Sequence, residues 1–171
     1  MLEKIRRILG RTLEWVLIAL MVTLTVIVIV AVFYRKTGAS LSWYDEIASI
    51  TLAWITYYGA ALAALRRRHI GLDSLLLMLP LPARMWATAL AEALVLAFFG
   101  ALAWAGFEVV RVLKGDTLVS LTWVPVQFTQ SVIPIGAALF VVAELLSLPG
   151  YWRATRDGVS LDHLDAETEV N

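Results

Sequence analysis

The side chains able to do chemistry are few in this chain of 171 residues, and their spacing rules out most reactions. There are two histidines, His69 and His163, and no cysteine. Disulfides, thiolate metal sites and cysteine nucleophiles are therefore excluded. Neither histidine lies in an apolar run, where membrane haem anchors place their axial ligands. No set of histidines and carboxylates has metal-ligand spacing, and no glycine-rich loop could cradle a phosphate. The sequence predicts no enzyme, no catalytic residue, no cofactor and no metal site.

The carboxylates that interrupt apolar sequence are Glu14, Glu92, Glu108 and Glu144. An ionisable group inside a membrane span marks a functional candidate. Glu108 stands three residues before Arg111, the spacing of a local helical pair. Glu14 and Glu144 fall at the edges of their apolar runs, and Glu144 is close enough to one end to snorkel out. Glu92 is about two turns inside its run. It reads as a structural or interface carboxylate that faces a partner or a polar cavity, or reaches back toward Arg66–Arg68, rather than as an ion or proton site. None of these four sits at mid-bilayer, where coupling-ion sites of carriers lie.

The elements that must position these groups follow from composition. Apolar residues make up 60% and charged residues 16% of the chain, against roughly 45–50% and 25% in soluble domains. One small globule cannot hide that much apolar surface, so membrane lipid is the expected solvent. The formal net charge of zero argues against a nucleic-acid partner, which would select a basic surplus. The runs Val16–Tyr34, Ile47–Leu65, Met85–Val110 and Leu118–Ala143 are each near the roughly 20 residues that cross a bilayer as a helix. The fold class is thus all-α: an integral membrane protein with four transmembrane helices, over about 13–34, 43–66, 85–111 and 123–148. The first run is too long for a signal peptide and ends in Phe33-Tyr34-Arg35-Lys36 rather than at a small-residue cleavage site.

Basic residues set orientation. Lys4, Arg6, Arg7, Arg11, Arg66, Arg67, Arg68, Arg84, Arg153 and Arg156 fall on one side, and only Arg35, Lys36, Arg111 and Lys114 on the other. Both termini are expected in the cytoplasm. Ser42 is expected to cap the second helix, with Asp45 in its first turn. Pro125 suits the first turn of the fourth helix, Pro134 should kink it, and Pro149-Gly150 should end it. His69–Leu79 is too short to span and suits a short interfacial helix between the second and third spans. Residues 1–150 then form the membrane domain, and 151–171 an acidic, disordered cytoplasmic tail.

Small residues recur every fourth position as Ala89, Ala93, Ala97, Ala101 and Ala105, and again as Thr56, Ala60 and Ala64 beside Gly59 and Ala63. Such rows let helix backbones approach closely, inside the chain or against another protein.

The order Trp43-x-x-Glu46, Trp54, Gly59-Ala60-Ala61 and Arg68-His69-Ile70-x-Leu72-Asp73 resembles the signature of one family, the small membrane subunit of tripartite ATP-independent periplasmic (TRAP) transporters. Trp123-x-Pro125 and Pro134-x-Gly136 fit the same pattern, and the resemblance runs from Lys4 to Leu148. The family often has Gly before the His-Ile pair, where this chain has Arg67-Arg68, and usually Val at Leu72. The resemblance implies a sodium-driven importer of organic acids in the bacterial inner membrane. Its other parts are a large multi-helix membrane subunit and a periplasmic substrate-binding protein. Trp43, Glu46, Trp54, Gly59, Arg68, His69, Asp73, Glu92, Pro125 and Pro134 are the family-motif and interface candidates. A self-contained four-helix exporter would need a charge well inside a span and very short loops. A membrane anchor for an enzyme complex would need cofactor ligands.

Overall fold

The computed structural model describes residues 2–66 and 78–158. It contains α1 (Leu2–Lys36), α2 (Tyr44–Arg66), α3 (Leu81–Val112), α4 (Val126–Gln130) and α5 (Val132–Asp157). With α4 and α5 counted as one interrupted span, four segments are long and apolar enough to cross a membrane. In hydrocarbon every backbone polar group needs an internal partner, which a helix supplies. Several hydroxyls within the spans are satisfied in the same way. Thr23, Thr25, Thr51 and Thr56 each donate to the carbonyl four residues earlier, at 2.7–2.9 Å. The interfacial helix expected over His69–Leu79, together with Arg68, His69 and Asp73, falls largely or wholly outside the described residues.

The helices are longer than the apolar runs because their polar ends find partners. α1 begins at Leu2 and ends at Gly38, whose φ of 82° places it in the left-handed region. The Ala39 amide donates to the Tyr34 carbonyl at 3.1 Å and the Gly38 amide to Arg35 at 3.3 Å. This is the Schellman termination that a glycine permits. α2 starts one residue later than a Ser42 cap would require, because the Trp43 carbonyl accepts the first turn's bond from Ile47. Pro80 and Pro82 open α3, a position where a missing N–H costs nothing.

At Pro134 the fourth span departs from a regular helix: it is interrupted at Ser131, just after Gln130, whose carbonyl Pro134 can neither bond nor clear with its ring. One expectation about this span is corrected. Pro149-Gly150 does not end it, since α5 continues through Pro149 to Asp157 and stops at Gly158, with φ of 73°. Tyr151–Asp157 therefore belong to α5 rather than to the tail. Packing holds this extension: Thr155 is buried, and Arg84 donates to its carbonyl at 3.2 Å.

The spans pack as a row in the order α1, α2, α5, α3. The flanking helices are the least covered. In the most apolar window of α1, and likewise of α3, 6% is buried, against 39% in the fourth span. The core is Leu13, Ala61, Ala64, Leu65, Phe140 and Ala143. Phe99 stacks on Phe140, with ring centroids 3.6 Å apart and planes 9° from parallel. Two glycines set how closely the helices meet. A Cβ on Gly136 would lie 2.6 Å from the Cβ of Tyr57, and one on Gly106 would lie 2.7 Å from Ile133 Cγ2 and 2.9 Å from the Pro134 nitrogen. α2 and α3 thus approach the two sides of α5 at backbone distance.

The alanine row behaves otherwise. Ala93, Ala97, Ala101 and Ala105 are exposed, so the close packing expected of them is not made within the chain. On α2 the fully buried small residues are Ala61 and Ala64, whereas Thr56 is exposed.

Candidate functional site at the Trp43 end of the bundle

One end of the row carries the α1–α2 turn, the α3–α4 loop and the start of the fourth span, and it is called here the Trp43 end. The other, the Arg66 end, carries the start of α1, the end of α2, the start of α3 and the end of α5. The candidate residues divide between them.

Glu46 lies in the first turn of α2 and reaches across to the α3–α4 loop. Its Oε1 accepts from the Val119 amide at 3.1 Å and its Oε2 from the Ser120 amide at 2.9 Å. The Ser120 hydroxyl donates to the Ser42 carbonyl at 3.2 Å. A carboxylate that accepts two backbone N–H groups makes charge-assisted bonds, stronger than neutral ones. The loop is folded to present those amides. Thr117 and Pro125 form an antiparallel bridge, with Leu118 N to Val124 O at 3.0 Å and Val126 N to Asp116 O at 3.0 Å. Gly115, with φ of 100°, supplies the turn out of α3. Pro125, which has no amide to satisfy, precedes the first residue of α4.

Trp54 sits two turns further along α2 and ties that helix to the interrupted span. Its indole N–H donates to the Thr129 carbonyl at 3.0 Å, in the last turn before the break at Ser131. Its ring lies 5.3 Å from that of Phe128 and 6.1 Å from that of Tyr58. Gln127 braces the other side, donating to the Val110 carbonyl at 2.9 Å. Trp54 and Pro125 line an apolar cleft of about 420 Å³, with Ile50, Trp123 and Phe128 among its other walls. The helix break that Pro134 causes is thus held on both sides, by Trp54 from α2 and by Gln127 from α4 itself onto α3.

The structure brings Glu46, Trp54 and Pro125 to one region, with Trp43 at the head of the same helix as the first two, whereas Pro134 lies deeper along the fourth span, against Gly106 of α3. Gly59 is apart from it, facing Leu17 of α1, where a Cβ would make ordinary contact at 3.9 Å. Glu92 is on the Arg66 side and 9% exposed, buried with Thr88 where α3 meets α5. Glu144 does not snorkel out as expected; it is 3% exposed, next to buried Ser147. Glu108 pairs with Arg111 at 3.3 Å, as its spacing predicts. Glu14 pairs with Arg66 across α1 and α2.

Local sequence reasoning passed over Gly106, Gln127 and the Val119–Ser120 amides, and read Arg84 only as one of the basic residues that set orientation. Only Gly106 carried a signal. A glycine inside a helix costs about 1 kcal/mol relative to alanine unless a close approach repays it. Among the described residues no group of three His, Asp or Glu converges on a point that could hold a metal ion. What the Trp43 end supplies is fixed geometry.

Comparison with known proteins agrees with this architecture. Residues 24–154 match the family model described as tripartite ATP-independent periplasmic transporters, DctQ component. The chain is also similar to the C4-dicarboxylate TRAP transporter small permease protein DctQ of Rhodobacter capsulatus. The two are 25% identical over 207 aligned positions, which cover 96% of this chain and 91% of that protein. The matched region takes in the end of the first span, the whole of the second and third, the fourth as far as Ala154 and every structural feature of the Trp43 end, so this chain belongs to the DctQ family, the small membrane component of TRAP transporters.

Proposed function

We propose that this chain is the scaffold subunit of a sodium-driven secondary transporter that imports organic acids. It works with a large multi-helix membrane subunit, which carries the substrate, and with a periplasmic substrate-binding protein, which delivers it. The observation that carries the reading is the helix row. It exposes long apolar faces on α1 and α3, suited to lipid and to a larger membrane partner, while its charged side chains stay away from the middle of the spans. A carrier needs polar groups and broken helices meeting at the midplane. Among the described residues the break at Ser131 has no second broken helix facing it, and it is braced by the bonds of Trp54 and Gln127. The name of the Rhodobacter relative, which refers to C4-dicarboxylates, agrees with an organic acid as the cargo.

The same reading places the chain in the bacterial inner membrane with the Trp43 end periplasmic and both termini cytoplasmic. Basic residues crowd the Arg66 end, as a cytoplasmic surface requires. The chain has no cysteine, so orientation can be measured with single cysteines at exposed Ser40, Asp116, Lys4 and Asp157. In intact spheroplasts an impermeant maleimide is expected to label the first two and to spare the last two. The reverse pattern contradicts the orientation.

The scaffold role is checked by co-expression. A tagged copy of this chain, extracted in mild detergent, is expected to retain the large subunit of its transporter in near-equimolar amount. Recovery of the chain alone, under conditions that keep both subunits folded, contradicts a stable scaffold.

A further inference from the structure

At the Arg66 end, α1 and α2 enclose a cleft of about 520 Å³ that no part of the scaffold role uses. Arg6, Arg7, Arg11 and Arg66 line it, against only Glu3 and Glu14. Two of the arginines are already committed. Arg66 pairs with Glu14, and Arg6 donates to the Leu65 carbonyl at 3.2 Å. Arg7 and Arg11 have no ion pair among the described residues, and they lie one turn apart on the same side of α1. Gly10 is buried between them at the floor, where a Cβ would come within 3.5 Å of Leu65. A larger side chain at position 10 would occupy that floor.

We propose that this cleft binds the phosphate of an anionic membrane phospholipid. Charge complementarity supplies the anion, since two uncommitted guanidiniums face a space with a net positive lining. Position supplies the lipid. The uncharged run of α1 starts just after Trp15, so the cleft lies at headgroup depth, where basic pockets between transmembrane helices hold anionic lipid heads. Ile8 and Trp15 are 56% and 72% exposed and flank Arg11 at helical spacing, offering an apolar surface to glycerol and the upper acyl chain beside the phosphate contact. The site does not depend on which side of the membrane this end faces. It would fasten the protruding first turns of α1 to the bilayer surface.

The test uses the purified full-length chain and native mass spectrometry with dioleoyl phosphatidylglycerol, with dioleoyl phosphatidylcholine, and with millimolar inorganic phosphate as competitor. Wild type is expected to retain phosphatidylglycerol in preference to phosphatidylcholine. The double variant Arg7→Gln, Arg11→Gln should weaken that retention roughly tenfold or more. The double variant Arg35→Gln, Lys36→Gln, at the opposite end of α1, should leave it unchanged, and Arg7→Lys, Arg11→Lys should keep most of it. Undiminished retention in the glutamine variant would overturn the site, as would an equal loss in the Arg35, Lys36 variant. Displacement by inorganic phosphate would show a small-anion site in place of a lipid site.

Discussion

Gly136→Ala is expected to destabilise the protein by about 1–3 kcal/mol, although alanine is the better helix former by about 1 kcal/mol. Propensity and packing predict opposite signs here, and distance decides between them. The added Cβ would stand 2.6 Å from Tyr57 Cβ and 3.1 Å from two of its ring carbons. The first of these atoms is fixed to the α2 backbone, so no rotamer change relieves the clash and the helices must part. Gly106→Ala meets Ile133 and the Pro134 nitrogen in the same way and should cost a similar amount. Gly100 is the control, because a Cβ added there would meet nothing within 4 Å. Gly100→Ala should be neutral or stabilising by up to about 1 kcal/mol. Thermal unfolding of the three variants in one detergent ranks them. Equal stability of Gly136→Ala and Gly100→Ala would mean that α2 and α5 do not meet at backbone distance.

Glu46→Gln should release the α3–α4 loop while leaving the helices in place. The substitution keeps the outline of the side chain but leaves one acceptor oxygen where there were two. Its new NH2 group would face either the Val119 or the Ser120 amide, donor against donor. Hydrogen exchange at these two amides is expected to quicken roughly tenfold or more, with smaller changes at Leu118 and Val126, whose partners lie within the loop. Amides in the middle of α2 and α5 should keep their protection. Unchanged exchange at Val119 and Ser120 would show that the loop is held by its own turn and not by α2.

The pattern of what sequence discloses here follows from the solvent. Four long apolar runs between charged blocks are legible because a bilayer demands them, and each supplies a helical segment long enough to span. Pairs within one turn, such as Glu108 with Arg111, are legible for a similar reason: helical spacing alone brings them together. The motif Trp43, Glu46 and Trp54 could be seen, but its partners could not. Glu46 bonds residues 73 and 74 positions away, and Trp54 bonds one 75 away. No periodicity carries such a pairing. In lipid, moreover, apolar side chains look alike whether they face the core or the hydrocarbon, so the direction of a helix face is poorly encoded. The row Ala93–Ala105 illustrates this: its spacing is that of a packed seam, yet within this chain it faces outward. Gly106 and Gly136, which do set helix separation, stand out less because each is a single residue without a repeat.

Helix ends divide along the same line. Lys36-Thr37-Gly38 closes α1 by local chemistry alone. Pro149-Gly150 reads as an end by the same local rules, but α5 passes through it because Arg84 and the buried Thr155 secure the turns beyond. The interruption at Ser131 follows locally from Pro134, but its bracing is tertiary: Trp54 of α2 bonds the Thr129 carbonyl and Gln127 bonds Val110 of α3.

The central claim, that this chain supports a carrier and carries nothing itself, is tested most directly by reconstitution. The purified chain in liposomes with an inward sodium gradient and the periplasmic binding protein outside should take up no radiolabelled organic acid above protein-free liposomes. Adding the large membrane subunit to the same preparation should produce uptake that collapses when the gradient is dissipated. Sodium-dependent uptake by this chain without the large subunit would contradict the account, and so would full uptake by the large subunit in its absence.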